Sequence, residues 1–258
     1  MQTAAPTGKL FLVPAPLDFM CSTQVPLDQV MPTVTLAIAS QIDHWVCENA
    51  KSARALLKRV ADTHPLHTAL QAQHITELPR VLHKKGDHAA GTDTRALLAP
   101  ALQGHDLGLL SEAGMPAVAD PGSSLVRAAH DAGITVVPLI GPSSLLLALA
   151  ASGLNGQQFA FVGYLPQDAG LRLQRIQALE KKALQTGETQ IFIETPYRNQ
   201  ALLSALISAL QPNTRLCLCS NLSLADAQIR SLKVADWKKQ EKNPAPDKHS
   251  PVVFAFGP

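Results

Sequence analysis

The stretch LGLLSEAGMPAVADPGSS, residues 107–124, decides how the rest of the chain is organised. It begins with four apolar residues, Leu107–Leu110, a length that suits one buried strand. The eleven residues from Glu112 to Gly122 then hold two acids, two glycines and two prolines, a mixture that ends the strand. Because Asp is a good helix N-cap and Pro suits the first helical turn, a helix is expected to begin at Asp120-Pro121.

The loop between this strand and this helix is a candidate ligand site. It is longer than the two to six residues that usually connect a strand to a helix. Loops at the carboxyl ends of parallel strands are also where α/β proteins bind ligands. Small residues let a ligand approach the backbone here, beside Glu112 and Asp120. The alternative is an ordinary connection that uses Pro and Gly for turning.

The composition limits the class of protein. With 258 residues, 46% of them hydrophobic, the chain can form one large domain or two modest ones. A net charge of +2 does not by itself argue for nucleic acid or membrane binding, and 4% aromatic residues show no base-stacking platform. The four cysteines form no C-x-x-C pair, so no zinc is expected. Without a signal peptide or a long apolar run, the expected location is the reducing cytoplasm.

Strand-like and helix-like segments alternate along the chain, which predicts an α/β fold. Each half is expected to hold about five strands, and the first half includes a buried strand over 134–140. The consecutive strands late in the second half indicate a mixed sheet. Turn-forming residues at 152–158 predict a boundary between two domains. The prediction is an N-terminal α/β domain over 1–154 and a C-terminal α/β domain with a mixed sheet over 155–258.

Four motifs occur in order: SEAGMPAVADPG at 111–122, VVPLIGPSS at 136–144, FVGYLP at 161–166 and IETPYR at 193–198. Together they resemble the tetrapyrrole-methylase-like (class III) S-adenosylmethionine-dependent methyltransferases, nearest the branch that includes the ribosomal RNA small-subunit 2′-O-methyltransferases. The resemblance extends from about Lys9 to the end of the sequence. It implies two α/β domains with the cofactor, S-adenosyl-L-methionine, in the cleft between them, and a homodimer.

The resemblance also implies which residues hold this cofactor. The family's cofactor positions fall here on Pro14, Ala113, Gly114, Met115, Val118, Ser144, Leu145 and Glu194. Ser143, Pro251 and Val252 are expected to join them. Two alternatives stay open, namely helix capping by Ser143 and Ser144 and a surface position for Glu194. The prolines at 14 and 16 stand where the wider family often has a glycine-rich loop, which excludes a phosphate-binding loop.

Methyl transfer from a sulfonium is an in-line displacement that depends mainly on positioning donor and acceptor. If the acceptor is a ribose hydroxyl, a general base adds a factor of about 10²–10⁴. The candidate catalytic residues are Glu112, Asp120 and Glu48, and the alternative role of the first two is capping of the loop and helix. Nine scattered histidines, such as His64 and His67, lack metal-ligand spacing, so no metal is expected.

The sequence departs from the RNA-modifying branch in two segments. An acidic-acidic-Thr-Arg run of that branch is replaced here by Glu48-Asn49-Ala50-Lys51, and its histidine-rich acidic segment reads His83-Lys84-Lys85-Gly86-Asp87. Three functions therefore stay open: methylation of ribosomal RNA, methylation of a tetrapyrrole or other small molecule, and non-catalytic binding of RNA or a partner. A set of basic residues favours RNA: Lys51, Arg54, Lys58, Lys84 and Lys85. The few aromatic residues and the near-neutral charge argue against it.

Overall fold

The computed structural model describes residues 7–19, 21–79, 93–240 and 250–258. This part of the chain divides into two compact units. The first contains the described residues up to Phe19 and those from Val25 to Pro142, and the second contains 21–24 and the described residues from Ser143 onward. Within the described ranges, no helix has the length and apolar character that crossing a lipid bilayer requires.

The first unit is built on a parallel five-stranded sheet in the order β3-β2-β4-β1-β5. Its strands are β1 (Leu10–Val13), β2 (His44–Cys47), β3 (His74–Glu77), β4 (Leu107–Leu110) and β5 (Val136–Pro138). Strand β4 is buried along its whole length, as expected for a central strand covered on both faces. Gly108 is required there because a Cβ would lie 2.3 Å from the ring of Trp45 in β2.

The helices of the first unit pack against this sheet. They are α1 (Leu27–Val30), α2 (Thr33–Ala39), α3 (Ala50–Ala61), α4 (Ala99–Leu102) and α5 (Ser123–Asp131). Helix α3 begins at Ala50 because the side-chain oxygen of Asn49 accepts hydrogen bonds from the amides of Lys51 and Ser52 at 2.8 and 3.4 Å. Its apolar face, which includes Leu57 and Val60, is part of the core.

Two predictions for the first unit need comment. The buried strand expected over 134–140 is wrong in extent: β5 has three residues, and they are half-buried or exposed because the strand lies at the sheet edge. The basic loop containing His83, Lys84, Lys85 and Asp87 lies outside the described residues.

The second unit contains a mixed five-stranded sheet in the order β6-β7-β10-β8-β9. Its strands are β6 (Phe159–Tyr164), β7 (Thr189–Ile193), β8 (Arg215–Ser220), β9 (Gln228–Lys233) and β10 (Val252–Gly257). Strands β6 and β7 are parallel, and the other neighbours are antiparallel. The side chains of Cys217 and Cys219 lie on one face of β8, with their sulfurs 3.6 Å apart.

The described residues of the second unit also form four helices: α6 (Ser144–Ser152), α7 (Ala169–Thr186), α8 (Asn199–Ala209) and α9 (Val234–Lys239). Helices α7, α8 and α9 enclose a core that contains Phe192, Phe254 and Trp237. Helix α6 packs on β8, β9 and β10. The division therefore falls between Pro142 and Ser143, and the predicted boundary at 154/155 is too late by 12 residues, a stretch that contains α6.

Candidate functional site

Three neighbouring strand ends in the first unit carry the predicted site segments. Strands β2, β4 and β1 lie side by side and run parallel, so the residues that follow them share one edge of the sheet. Glu48 follows β2, Ser111 follows β4 and Pro14 follows β1. This carboxyl edge is the usual ligand-binding edge of an α/β sheet.

The first half of the loop after β4 is fixed to the segment after β1. Ala15 and Gly114 exchange two backbone hydrogen bonds of 2.9 and 3.0 Å. The hydroxyl of Ser111 donates to the carbonyl of Gly114 at 3.2 Å. Gly114 has a φ of +76°, and a Cβ there would lie 3.3 Å from the side chain of Leu17. Glycine is therefore favoured at this position by backbone conformation as well as by space.

The second half of the loop is strained. Ala117 and Ala119 both have a φ of +64°, a conformation in which a residue other than glycine costs on the order of 1 kcal/mol or more. Gly122 follows with a φ of +137° and occupies the N-cap position of α5. The helix start predicted at Asp120-Pro121 is thus wrong, because the left-handed turns keep the backbone out of the helix until Ser123. Strain of this kind clusters at functional sites.

The three predicted catalytic residues come together at this edge. Burial, and then the charges of Asp120 and Glu112, raise the pKa of Glu48 to about 8. Burial and then the charge of Glu112 raise the pKa of Asp120 to about 6. Such mutual effects require the carboxyl groups to be close to one another. At pH 7 Glu48 is therefore mostly protonated and Asp120 mostly ionised.

The predicted cofactor residues of the first unit lie on the same two segments. Pro14 is buried at the end of β1, and Gly114 is buried in the loop. Ala113 and Met115 on either side of Gly114 are half-buried, and Val118 is exposed. The bridge between Ala15 and Gly114 joins the two segments, so the structure brings these five residues together.

The predicted cofactor residues of the second unit lie at the start of α6, directly after β7 and at the start of β10. Ser143 occupies the N-cap position of α6 but its side chain makes no capping hydrogen bond, Ser144 begins the helix, and Leu145 is buried. Capping is therefore not what the Ser143 hydroxyl does here. Pro251 is exposed just before β10, and Val252, its first residue, is buried.

Glu194 follows β7 and is buried, so the alternative of a surface carboxylate is wrong. Its Oε1 accepts hydrogen bonds from Nη2 and Nε of Arg198 at 2.6 and 3.0 Å and from the amide of Thr195 at 2.7 Å. Val253 pairs with Ile193, which places Glu194 at the end of β10 where Val252 lies.

Comparison with known proteins identifies the family. Residues 35–237 match the family model of the tetrapyrrole (corrin/porphyrin) methylases. The chain belongs to this family. Its fold is also that of the methyltransferase CobJ, whose crystal structure superposes with a TM-score of 0.55 at 16% identity, over 97% of this chain and 94% of that one. The family and fold expected from the four motifs are confirmed.

Curated relatives of this tetrapyrrole methylase family member share a name. This chain is 36% identical over 197 residues to the ribosomal RNA small subunit methyltransferase I of Mesorhizobium japonicum. That match covers 76% of this chain and 59% of the relative, so the chain spans less than two thirds of that protein's length. It is 30% identical over 241 residues to the protein of the same name from Escherichia coli O157:H7, covering 92% of this chain and 74% of that one.

Two residues that hold predicted site carboxylates, one in each unit, escaped the sequence analysis. Ser52, in the first turn of α3, donates a hydrogen bond to Oε1 of Glu112 at 3.0 Å. Arg198 holds Glu194, as described above. A usable signal existed for both, since each lies four residues after an acid that follows an apolar strand, at the start of a helix.

No metal centre is visible in the part of the chain that the structure describes. There, no group of three or more His, Cys, Asp or Glu side chains has a geometry that could hold a metal ion. His67, one of the scattered histidines, instead lies 2.9 Å from a carboxylate oxygen of Asp43.

Proposed function

We propose that this member of the tetrapyrrole methylase family is an S-adenosylmethionine-dependent methyltransferase that acts on a ribose 2′-hydroxyl of small-subunit ribosomal RNA. The observation that carries the proposal is the meeting of Glu48, Glu112 and Asp120 beside an anchored, strained loop at the carboxyl edge of a parallel sheet. The names of the relatives, ribosomal RNA small subunit methyltransferase I, support the acceptor.

The residues around the loop suit the cofactor, which supplies the methyl group when bound. The small side chains of Ala113 and Gly114 let a ligand approach the loop closely, and the acid-rich edge suits a molecule with a positive sulfur and an ammonium group. Met115 and Val118 offer apolar contact to an adenine ring. We propose the following cofactor residues: Pro14, Ala113, Gly114, Met115, Val118, Ser143, Ser144, Leu145, Glu194, Pro251 and Val252.

The environment of each carboxyl group suggests its role in the proposed reaction. Asp120, with a pKa of about 6, is ionised at neutral pH and still basic enough to take the proton of a ribose hydroxyl. Glu48, with a pKa of about 8, keeps its proton and can donate a hydrogen bond to the acceptor. Glu112, held by Ser52, supplies negative charge that raises the pKa of both neighbours.

The assembly and location expected from the family resemblance are part of the proposal. We propose that the chain acts as a homodimer in the cytoplasm. Sedimentation equilibrium of the purified protein tests the assembly, and a single species of monomer mass at micromolar concentration would contradict it. Fractionation of cells that express the tagged chain tests the location.

The test of function compares ribosomal RNA from a deletion strain with RNA from its parent by mass mapping of modified nucleotides. We expect one ribose methylation to be missing and to be restored by the purified chain with S-adenosylmethionine. Transfer of methyl groups to uroporphyrinogen but not to RNA would show that the acceptor is a tetrapyrrole. Absence of heat and of a thermal shift at millimolar cofactor would contradict the enzymatic proposal altogether.

A further inference from the structure

Both tyrosines of the chain are exposed at the carboxyl ends of two neighbouring strands in the second unit. Tyr164 is the last residue of β6, and Tyr197 follows the parallel strand β7 in the 3₁₀ turn Pro196–Arg198. They are 57% and 74% exposed, whereas both tryptophans, Trp45 and Trp237, are in the core. Their rings therefore leave aromatic surface accessible to solvent at this edge of the second sheet.

A β-bulge aims the side chain of Tyr164. Phe161 pairs with Ile191 and Tyr164 with Ile193, so three steps along β6 match two steps along β7. In a regular strand, residues three apart point to opposite faces, whereas the extra residue turns Phe161 and Tyr164 to the same face. Gly163 within the bulge has a φ of +73°. Bulges of this kind often re-aim a side chain next to a functional site.

A fixed cation stands beside the second tyrosine. The guanidinium carbon of Arg198 lies 5.5 Å from the centre of the Tyr197 ring. Two guanidinium nitrogens are held by Glu194, and Nε also donates to Oγ1 of Thr195 at 2.9 Å. The side chain is therefore ordered before any ligand arrives, which reduces the entropy that binding must overcome. Its charge is complementary to a phosphate group.

We propose that Tyr164, Tyr197 and Arg198 form a stacking platform for unpaired bases of an RNA acceptor. The inference rests on the proposed function, because it assumes that the acceptor is RNA. Proteins that recognise single-stranded RNA stack its bases on aromatic rings and on arginine guanidinium groups, and use cationic side chains for the phosphates. The exposed ring of Tyr197 beside an ordered guanidinium, with the exposed ring of Tyr164 at the end of the neighbouring strand, provides this combination. The platform selects unpaired nucleotides, since paired bases in a duplex do not offer their faces.

The platform is tested by fluorescence anisotropy of the full chain with a labelled 12-nucleotide uridine RNA and with a 12-base-pair RNA duplex. We expect Tyr164→Ala and Tyr197→Ala each to weaken binding of the single strand about tenfold. Tyr197→Phe keeps the ring and is expected to bind like wild type. Phe159→Ala is the matched control, because Phe159 is 43% exposed at the other end of β6, roughly 16 Å away.

The readouts separate this inference from the proposed function. If wild type methylates ribosomal RNA while the tyrosine variants keep its affinity for the single strand and its KM for ribosomal RNA, the platform is wrong and the function stands. If wild type methylates no RNA, the function fails and the platform fails with it. If the variants lower the assembly state in sedimentation and leave RNA affinity unchanged, the tyrosines belong to an interface between two copies. Cofactor titration by calorimetry checks that each variant is folded.

Discussion

Acids follow apolar strands at two places in this molecule, with opposite results. In the first unit, Glu48 and Glu112 follow neighbouring strands and meet Asp120, and burial together with neighbouring carboxylates raises the pKa of Glu48 and that of Asp120. In the second unit, Glu194 follows β7 and is held by Arg198. The same local sequence signal gives a titratable cluster in one case and an ion pair in the other. What lies next to the strand end in space decides between them.

Removing the charge of Asp120 should have the largest effect. We expect Asp120→Asn to lower kcat for ribosomal RNA methylation about 10³-fold, because the amide cannot accept the ribose proton. The affinity for the cofactor should stay within about a factor of two. Single-turnover methylation and calorimetry measure the two quantities. The control is Asp93→Asn, at an exposed acid that pairs with Arg95. Equal methylation rates for the two variants would show that Asp120 takes no part in the reaction.

Separating the ion pair of the second unit should destabilise the fold. Arg198→Met leaves the carboxylate of Glu194 buried without its cation, which is expected to cost about 3 kcal/mol of unfolding free energy. Urea denaturation measures it. Lys239→Met breaks the exposed pair with Asp236 and should change stability by less than about 1 kcal/mol. Adding Glu194→Gln to Arg198→Met should recover much of the loss, and failure to do so would mean that packing dominates.

The cluster of the first unit should make stability depend on pH. The pKa of Glu48 is about 8 in the folded chain, against 4.5 for an ordinary glutamate, so the folded state holds more protons between these values. Its contribution to stability is fully present below about pH 4.5 and is lost as pH rises towards 8. At about 1.4 kcal/mol for each pH unit between pH 5 and pH 8, Glu48→Gln should therefore gain up to about 4 kcal/mol of stability relative to wild type between pH 5 and pH 9. Urea denaturation measures the unfolding free energy of both proteins at pH 5 and pH 9. If the difference between the two proteins is the same at both pH values, the pKa of Glu48 is not raised.

The smallest effect on stability, with a large effect on binding, is expected at the loop. Gly114→Val forces a β-branched residue to a φ of +76° and should cost about 1–2 kcal/mol while abolishing cofactor binding. Leu109→Ala, in the buried strand before the loop, should lose more stability, roughly 2–5 kcal/mol, yet keep its cofactor affinity in the folded fraction. Cofactor titration measures the affinity of both variants. If Gly114→Val binds the cofactor as tightly as wild type, the loop has no role in cofactor binding and only connects β4 to α5.

Local signals in the sequence were sufficient for most elements and for the family. An apolar run of four residues before turn-forming residues predicted β4, and the consecutive strands late in the sequence predicted a mixed second sheet. A local signal was misleading where tertiary structure overrides it. Asp120-Pro121 has the residues of a helix start, but the positive φ values around it delay α5 to Ser123.

Tertiary arrangement was what the sequence could not supply. Glu48 lies more than 60 residues before Glu112, and they meet only because β2 pairs with β4 rather than with β1. Helix α6 carries apolar residues on more than one face, so its sequence does not tell which sheet it covers. The ion pair of Glu194 likewise depends on the turn that brings Arg198 back to the end of β7.

The strand order of the two sheets has a consequence for synthesis on the ribosome. All five strands of the parallel sheet have been made once Pro138 has been added, whereas the mixed sheet needs β10, which lies between β7 and β8. About 110 residues separate these points, which at roughly 5–20 residues per second corresponds to about 6–20 s. Once β7 and β8 have been made, their edges that later pair with β10 stay open to chaperones or to other nascent chains until β10 follows. The second unit is therefore where stalled translation exposes the chain to aggregation.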